Sequence, residues 1–293
     1  MVIMNLKFND FLIEQKIKEY LCEDIGYIDL TSNLIENKKC SARLIAKSDG
    51  VVCGIQELEI TFKLTNCNVI TFKDDGDTVK IGDIVAQIEG DLLDILSTER
   101  IALNIIMKMS SISTSVRDLV DKLNSKNLTV KLASTRKTTP GFGIFEKKAV
   151  IIGGGDPHRW RLDDMVLIKD NHINSSSKSI SEIIKKAKKL TSFSKKIEIE
   201  VNDENLGLEA ALVGAEIIMF DNMSPERIKN AISNIKTKLK EKNYQIPLFE
   251  ASGNITHENF MKYAESGVDI ISTSEITLHP HKKMDFSLEI NLN

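Results

Sequence analysis

From about residue 129 onward, short apolar runs alternate along the chain with segments whose apolar residues have helical spacing. Apolar runs bounded by turn residues predict seven strands. Seven strands alternating with helices favour a parallel α/β barrel, TIM-like and incomplete or open, although a doubly wound sheet fits the same spacing. The predicted strands are 129–134, 149–153, 164–168, 195–201, 216–220, 246–250 and 269–273.

Three of the helices between these strands are predicted from their capping residues. Ser175 or Ser176 is expected to cap the first of them, whose apolar positions begin at 180. Ser224 followed by Pro225 has the pattern of an N-cap and a first-turn proline. Thr256 is expected to cap the third helix.

The first third of the chain has a different pattern, with a helix at 8–21, alternating strands within 41–90 and a long helix at 91–123. Asp-Gly pairs within 41–90 mark turns between those strands. This pattern predicts an α+β domain that precedes the barrel. The predicted boundaries are 1–113 for the N-terminal domain, 114–277 for the barrel, and 278–293 for a C-terminal tail that packs back on the first domain.

The composition is that of an ordinary globular chain, with 42% hydrophobic and 28% charged residues among 293. The formal net charge of −3 gives no general attraction to nucleic acid or to an anionic membrane, so neither is expected as a partner. The N-terminal segment lacks the apolar core of a signal peptide, and the four cysteines have no zinc-ligand spacing. We therefore expect a cytoplasmic protein with reduced thiols.

Polar or charged residues follow almost every predicted strand of the barrel region. In a parallel barrel all the carboxyl ends of the strands meet at one rim, where such folds place their active sites. The pattern therefore predicts an active site at that rim. The residues concerned are Thr135-Arg136-Lys137, Lys169-Asp170-Asn171, Glu200, Asp221-Asn222, Ser252-Gly253 and Thr273-Ser274.

The rim is rich in cations, which predicts a ligand with several carboxylates or phosphates. Lys147-Lys148 and Lys185-Lys186, in contrast, are expected to form solvated basic faces. The six cationic residues within 34 positions are Arg136, Lys137, His158, Arg159, Arg161 and Lys169, with Arg100 earlier in the chain.

The acidic residues of the predicted strands point to a second function of the rim. Period-two alternation places Glu198 and Glu200 on one face of their strand, which is expected to point inward. Glu200 and Asp221 have the oxygen ligands needed to hold ribose hydroxyls or Mg²⁺. The alternative is a buried ion pair with Lys137 or Lys169.

Two glycine-containing turns also follow predicted strands. Residues 153–158, GGGDPH, lack the spacing of a nucleotide fingerprint and are expected to present His158 and Arg159. Residues 252–256, SGNIT, stand at a strand-to-helix junction, where backbone N–H groups can hold a phosphate.

Taken together, these motifs resemble the quinolinate phosphoribosyltransferase family, also called carboxylating nicotinate-nucleotide pyrophosphorylases. The resemblance extends over nearly the whole chain. Its most specific part is the run from STRKTTPG to LIKDNH. The matching segments are EDIG (23–26), DLT (29–31), TERIALN (98–104), STRKTTPG (134–141), EKKAV (146–150), GGGDPHR (153–159) and LIKDNH (167–172).

The resemblance implies transfer of the phosphoribosyl group of 5-phosphoribosyl 1-pyrophosphate (PRPP) to quinolinate with loss of CO₂. It also implies Mg²⁺ but no organic cofactor, and a homodimer, with a higher oligomer left open, in which Arg100 reaches the neighbouring subunit's site. The quinolinate residues so implied are Arg100, Arg136, Lys137, His158, Arg159 and Lys169. The PRPP residues are Lys169, Glu200, Asp221, Asn222, Ser252, Gly253, Asn254, Thr273 and Ser274. The residues implied to be catalytic are Lys137, Lys169, Glu200 and Asp221, of which Glu200 and Asp221 would also hold the metal ion.

The chain departs from the family pattern at several positions. Asn254 stands where a second glycine is usual in the phosphate loop, and Ser274 stands where another glycine is expected. Because Ser and Asn keep their N–H donors, we expect a retuned phosphate site that still binds. Further departures are Gly143, Ser111, Asp156-Pro157 and Arg161.

Other functions fit parts of the sequence. A ModD-like or other relative on the same fold with a different anionic acceptor is the main alternative, and a nicotinate-specific transferase would not need so many cations. The hairpin pattern before residue 90 and the Met107-Lys108-Met109 tripeptide are typical of biotinyl carriers, but here the tripeptide falls in a predicted helix. A catalytically silent scaffold would follow if the altered loop failed to bind phosphate.

Overall fold

The computed structural model describes residues 8–291. Contacts divide these residues into two compact units: 8–118, 138–154 and 280–291 form the first, and 119–137 and 155–279 form the second. Residues 138–154 therefore fall with the first unit rather than with the strands of the second. In the described part of the chain, no helix is both long and apolar enough to cross a membrane.

The helices and strands are named here in chain order. The elements up to the middle of the chain are α1 (Asp10–Ile25), a 3-10 helix (Ser32–Leu34), β1 (Lys39–Ala46), β2 (Gly50–Val51), α2 (Ile55–Lys63), β3 (Asn68–Thr71), β4 (Thr78–Val79), β5 (Ile84–Asp91), α3 (Leu92–Ser125), β6 (Lys131–Ala133) and α4 (Gly143–Gly153). The remaining elements are β7 (Val166–Ile168), α5 (Asp170–Asn174), α6 (Ile180–Leu190), β8 (Ile197–Val201), α7 (Glu204–Val213), β9 (Ile217–Asp221), α8 (Pro225–Glu241), β10 (Leu248–Ser252), α9 (Phe260–Ala264), β11 (Ile270–Ser272), α10 (Glu275–Leu278) and β12 (Phe286–Asn291).

The first unit is built on a four-stranded antiparallel sheet with the order β12-β1-β5-β3. Every second residue of β1 is buried, as expected for a strand with one face on a core. β12 lies in the predicted C-terminal tail and pairs with β1 along its whole length, from Ser41 opposite Asn291 to Ala46 opposite Phe286. The predicted domain ends at residues 1–7 and 292–293 lie outside the described residues.

The second unit contains six parallel strands in the order β6-β11-β10-β9-β8-β7. Their connecting helices make this an α/β sheet of the predicted class. The sheet is strongly curved, because Ser134 after β6 and Lys169 after β7, at opposite edges, line the same cavity. Within residues 8–291 no strand pairing joins β6 to β7, and Ala133 instead forms an isolated parallel bridge with Asp156. The barrel is therefore incomplete, as predicted.

Six of the seven strands predicted in this region are present, but the prediction for 149–153 is wrong. These residues form the last turns of α4, which is helical from Gly143 to Gly153. A short apolar run such as AVII does not distinguish a strand from a buried helix by its periodicity. The helix is buried on nearly all sides, so it lacks the polar face that would have revealed its period.

The capping predictions have mixed outcomes. Ser224 caps α8 through a hydrogen bond from Arg227 N, with Pro225 in the first turn, as predicted. The predicted caps of α6 and α9 are wrong. α6 begins after Ser179, whose hydroxyl accepts from Glu182 N while the Glu182 carboxylate accepts from Ser179 N. α9 begins after Asn259.

The prediction that Lys147 and Lys148 form a solvated face is also wrong, because each is only 2% exposed. Lys148 Nζ lies 2.8 Å from Glu57 Oε2, 3.0 Å from Asp75 Oδ2 and 3.0 Å from Gln56 Oε1, all within the first unit. Burial alone would lower the pKa of Lys148, but the Glu57 and Asp75 carboxylates outweigh burial and hold the pKa above its usual value. The lysine is thus a charged core residue. Lys185 and Lys186 are exposed, as predicted.

Candidate active site

The second unit has a cavity of about 530 Å³ at the carboxyl ends of its strands. Its wall is formed by residues of β6 to β11 near their carboxyl ends and by the segments that follow these strands, which is the rim that the sequence predicts. The lining residues are Ser134, Thr135, Arg136, Lys137, His158, Arg159, Leu167, Lys169, Glu200, Met219, Asp221, Asn222, Ser252, Gly253, Asn254 and Ser272.

A second cavity of about 560 Å³ is lined by residues near the amino ends of the same strands. It shares His158 and Arg159 with the first, and its wall includes the apolar residues Ile217, Leu248 and Ile270. The carboxyl-end cavity is the one in which the strand-end cations and carboxylates lie together. We therefore take the carboxyl-end cavity as the candidate active site.

Three cationic residues form one side of this cavity. Arg136 and Lys137 follow β6 and are exposed, while Arg159 is half-buried. Both backbone polar groups of Lys137 form hydrogen bonds: the N–H donates to Thr135 Oγ1 at 3.0 Å, and the carbonyl accepts from Thr277 Oγ1 at 3.0 Å. Burial, together with the positive charge of Arg136, lowers the pKa of Arg159. Two guanidinium groups close enough to repel each other would be stabilised by an anion between them.

Lys169 and Glu200 form an ion pair at the neighbouring strand ends. Lys169 directly follows β7, and Glu200 is the fourth residue of the adjacent strand β8. The Lys169 ammonium lies 2.5 Å from Glu200 Oε2. Of the two lysine partners considered from the sequence for Glu200, the structure has Lys169.

The ends of β9 and β10 form the third side. Asp221 and Ser252 end these two strands and are paired in register. Asn222, Gly253 and Asn254 continue from them along the cavity wall. Ser272, at the end of β11, donates to Ser252 Oγ at 3.1 Å.

His158 lies between the two cavities, and both of its ring nitrogens have partners inside the unit. Nδ1 accepts from the Arg159 backbone N–H at 2.8 Å. Nε2 lies 3.2 Å from Glu250 Oε2 and 3.5 Å from Glu198 Oε2. Because Nδ1 accepts, the proton of a neutral ring is on Nε2 and points to the glutamates. Contact between His158 and quinolinate stays a prediction.

Glu198 and Glu250 form a buried carboxylate pair beneath His158, and both are 0% exposed. Among residues 8–291, both oxygens of Glu198 and Oε1 of Glu250 find no hydrogen-bond partner. Burial, reinforced by Glu250, raises the pKa of Glu198 to about 8, which favours the protonated carboxyl at neutral pH. One ligand atom from each of His158, Glu198 and Glu250 lies within 4.8 Å of the others, so this is also a group that could hold a metal ion.

This buried carboxyl predicts a pH dependence of stability. The pKa of Glu198 in the folded protein, about 8, exceeds the value of about 4.3 for an unfolded glutamate, so the folded state binds the extra proton. The resulting stabilisation is complete below the unfolded pKa and is lost as the pH rises through about 8. We expect the free energy of unfolding to fall between pH 5 and pH 8, and Glu198→Gln, which imitates the protonated group, to flatten this fall.

Urea denaturation at each pH measures this effect. The exposed Glu241→Gln is the matched control and should keep the slope of the unmodified protein. An unchanged slope in Glu198→Gln would contradict the assignment of the proton to this residue.

Some residues predicted for the site lie elsewhere. Arg161 is exposed and pairs with Asp163 at 3.1 Å, so it does not line the cavity. Thr273 and Ser274 also lie outside the lining, because the Thr273 hydroxyl donates to Ile255 O and accepts from Glu275 N. Arg100 is an exposed residue of α3 in the first unit.

Other lining residues were missed from the sequence. Each precedes or follows a predicted site residue by one to three positions or ends a strand, so strand-end position was the available signal. They are Ser134, Leu167, Met219 and Ser272.

Comparisons with known proteins decide the family. Residues 29–110 match the model of the quinolinate phosphoribosyl transferase N-terminal domain, and residues 112–289 match that of its C-terminal domain. The chain belongs to the quinolinate phosphoribosyltransferase family.

Individual relatives agree with this family. The chain is 40% identical to a probable carboxylating nicotinate-nucleotide pyrophosphorylase of Methanothermobacter thermautotrophicus, over 94% of this chain and 97% of the relative. It is 36% identical to the corresponding enzyme of Dictyostelium discoideum, over 96% of both chains. Among solved structures, the nicotinate-nucleotide pyrophosphorylase of Francisella tularensis superposes with a TM-score of 0.87 at 34% identity, over 97% of this chain and 98% of that chain.

The carrier hypothesis does not fit the structure. Lys108 lies inside α3 rather than at a hairpin tip, and it pairs with Glu146 at 3.6 Å. Met109, which follows it, is fully buried. A biotinylated lysine needs an accessible turn, whereas this tripeptide is an internal segment of α3.

Proposed function

We propose that the chain transfers the phosphoribosyl group of PRPP to quinolinate, releasing pyrophosphate and CO₂ and forming nicotinate mononucleotide for NAD synthesis. Family membership supports the reaction. The observation in this chain that supports it is the presence of two neighbouring arginines, Arg136 and Arg159, on one side of the cavity. The other sides of the cavity hold Lys169, Glu200 and Asp221. Such a cavity suits an aromatic dianion beside a sugar phosphate.

Arg136, Lys137 and Arg159 form the quinolinate half of the proposed site. Arginine forks match carboxylates two oxygens at a time, so two such groups fix a ring that carries two adjacent carboxylates. His158 belongs to the same half because it accepts from the Arg159 backbone. Clamping the carboxylates would align the pyridine nitrogen with the anomeric carbon of PRPP, which is the main catalytic effect needed for this displacement.

Lys169, Glu200 and Asp221 form the PRPP half. Carboxylate oxygens can accept hydrogen bonds from the ribose hydroxyls and favour positive charge that develops on the ribose ring. Lys169 is the cation that lies closest to the Glu200 carboxylate and can exchange that partner for a phosphate. The backbone N–H groups of the loop after Ser252 are proposed to bind the 5-phosphate. Thr273 and Ser274 remain part of this proposal through their backbone.

Glu200 and Asp221 are the proposed Mg²⁺ ligands. Both line the cavity, and carboxylate oxygens are the ligands that Mg²⁺ prefers. Glu200 Oε2 contacts Lys169 and Asp221 Oδ2 accepts from Asn222, which leaves one oxygen of each carboxylate without these contacts. The ion would supply positive charge that stabilises the departing pyrophosphate. No organic cofactor is proposed.

The proposal includes a cytoplasmic homodimer. Arg100 is exposed in the first unit, and we propose that it completes the quinolinate site of a second copy of the chain.

The reaction can be tested directly with purified protein. We expect quinolinate, PRPP and Mg²⁺ together to give CO₂ and pyrophosphate in equal amounts, and excess EDTA to abolish both because the departing charge loses its counter-ion. Readdition of Mg²⁺ should restore the activity. Nicotinate in place of quinolinate is the control and should release no CO₂. Absence of both products from the complete mixture would overturn the proposed function. The remaining hypotheses would then be a catalytically silent scaffold and an enzyme with a different anionic acceptor.

A further inference from the structure

The carboxyl ends of β9 and β10 are joined by a chain of side-chain hydrogen bonds. Asn222 Nδ2 donates to Asp221 Oδ2 at 2.6 Å. Asn254 Nδ2 donates in turn to Asn222 Oδ1 at 2.9 Å. This series of hydrogen bonds therefore runs from the loop after β10 to the carboxylate that ends β9, along the wall of the cavity.

The backbone is shaped to bring these side chains together. Asn222 and Asn254 have φ values of 54° and 52°, in the left-handed region that asparagine tolerates better than most residues. Gly253 has a φ of 88°, and a Cβ there would lie 2.4 Å from Asn222 Oδ1. Two hydrogen bonds to backbone carbonyls hold the loop: Asn222 N donates to Ser252 O at 3.0 Å, and the side-chain Nδ2 of Asn259 donates to Asn254 O at 3.0 Å.

The chemistry of each group fixes the direction of this chain. An ionised carboxylate only accepts, so Asn222 must turn its NH₂ group toward Asp221. Its carbonyl oxygen then faces residue 254, which must supply a donor. The amide NH₂ of Asn254 is that donor, and the orientation of both amides follows from the carboxylate. A residue 254 without a donor would remove one of the two side-chain hydrogen bonds that hold the Asn222 amide.

We propose that Asn254 is a positioning residue for the PRPP half of the site: it fixes Asn222 and, through Asn222, the carboxylate of Asp221. The inference rests on the proposed function, in which Asp221 binds the ribose or the metal ion and the 252–254 loop binds the 5-phosphate. The chain of amides makes these two contacts depend on each other. Order in the phosphate loop then holds Asp221 in its binding rotamer before the ligand arrives, which lowers the entropic cost of binding.

The test uses Asn254→Gly, because glycine adopts a φ of 52° without strain and only the side chain is lost. Titration calorimetry with PRPP and Mg²⁺ should give a Kd about fivefold to tenfold weaker, the usual effect of one net hydrogen bond. The Kd for quinolinate alone and the melting temperature should stay unchanged, which a merely structural role would not predict. Asn243→Gly is the matched control: Asn243 has a φ of 53° in an exposed turn after α8, away from the cavity.

A double substitution tests the link itself. In Asn222→Gly the acceptor of Asn254 is gone, so adding Asn254→Gly should weaken PRPP binding by less than about twofold more. Additive losses, or a Kd for Asn254→Gly within about twofold of the unmodified protein, would overturn the inference. Failure of the unmodified protein to bind PRPP would instead overturn the proposed function, so the two outcomes are distinct.

Discussion

Arg136→Ala is expected to abolish quinolinate binding while largely sparing PRPP. Arg136 lines the cavity and lies close enough to Arg159 that its charge lowers the pKa of Arg159. Loss of a bidentate, charge-assisted contact with a carboxylate costs about 3 kcal/mol, so the Kd for quinolinate should rise about 100-fold or more. The Kd for PRPP with Mg²⁺ should change by less than about threefold, because its proposed contacts are on the other strands.

Arg161→Ala is the matched control for this prediction. Arg161 is only two residues beyond Arg159, but its guanidinium pairs with Asp163 outside the cavity lining. Calorimetric titration of both variants with each ligand should therefore separate a local electrostatic effect from a general loss of positive charge. Equal weakening of quinolinate and PRPP in Arg136→Ala would contradict the division of the cavity into two halves.

The position of the candidate site could be predicted because parallel strands share a rim. Arg136 and Lys169 follow strands, Asp221 and Ser252 end strands, and Glu200 is the last residue but one of β8; all five line one cavity. Their meeting follows from the fold class, which the alternation of apolar runs and helical segments already indicates. The prediction that these five residues lie close together therefore depends only on the fold class and not on side-chain geometry.

The contacts and side-chain positions that the sequence analysis did not predict involve groups whose partners are distant in the chain. Glu250 lies in an apolar run and pairs with a histidine 92 positions earlier, and no local pattern indicates such a pair. The orientation of His158 follows from that contact. Arg161 and Arg159 look equivalent in the sequence, but Arg159 lines the cavity whereas the Arg161 guanidinium pairs with Asp163. The turn between them is closed by Asp164, which accepts from Trp160 N and Arg161 N.

Helix α4 shows the same limit for fold prediction. Its sequence EKKAVIIG combines charged residues with an apolar run, which predicts a solvated basic face followed by a strand. In the structure both parts belong to one buried helix, because Glu57 and Asp75 neutralise Lys148. A charged residue can therefore be a core residue when its partners lie elsewhere in the chain, and a periodicity analysis cannot detect those partners.

Lys148→Met is expected to destabilise the first unit strongly. It removes the cation that pairs with Glu57, a glutamate that is 0% exposed and whose pKa is raised by burial. Asp75 would lose the same partner, although its other oxygen still accepts from Gly54 N and Ile55 N at the start of α2. Removing one member of a buried ion pair costs about 3–5 kcal/mol, which lowers the melting temperature by about 10 °C in a chain of this size.

Two further variants make the cause of this loss measurable by thermal denaturation. Adding Glu57→Gln to Lys148→Met should recover part of the melting temperature, because the remaining amide carries no charge that needs a partner. Lys80→Met is the matched control, since Lys80 pairs with Asp49 at 3.0 Å on the surface, with 72% of its side chain exposed, and it should lower the melting temperature by less than about 3 °C. If the double variant were no more stable than Lys148→Met, lost packing rather than the unpaired carboxylate would be the cause. Recovery in the double variant would instead mean that the buried lysine is kept in α4 because Glu57 and Asp75 require its charge.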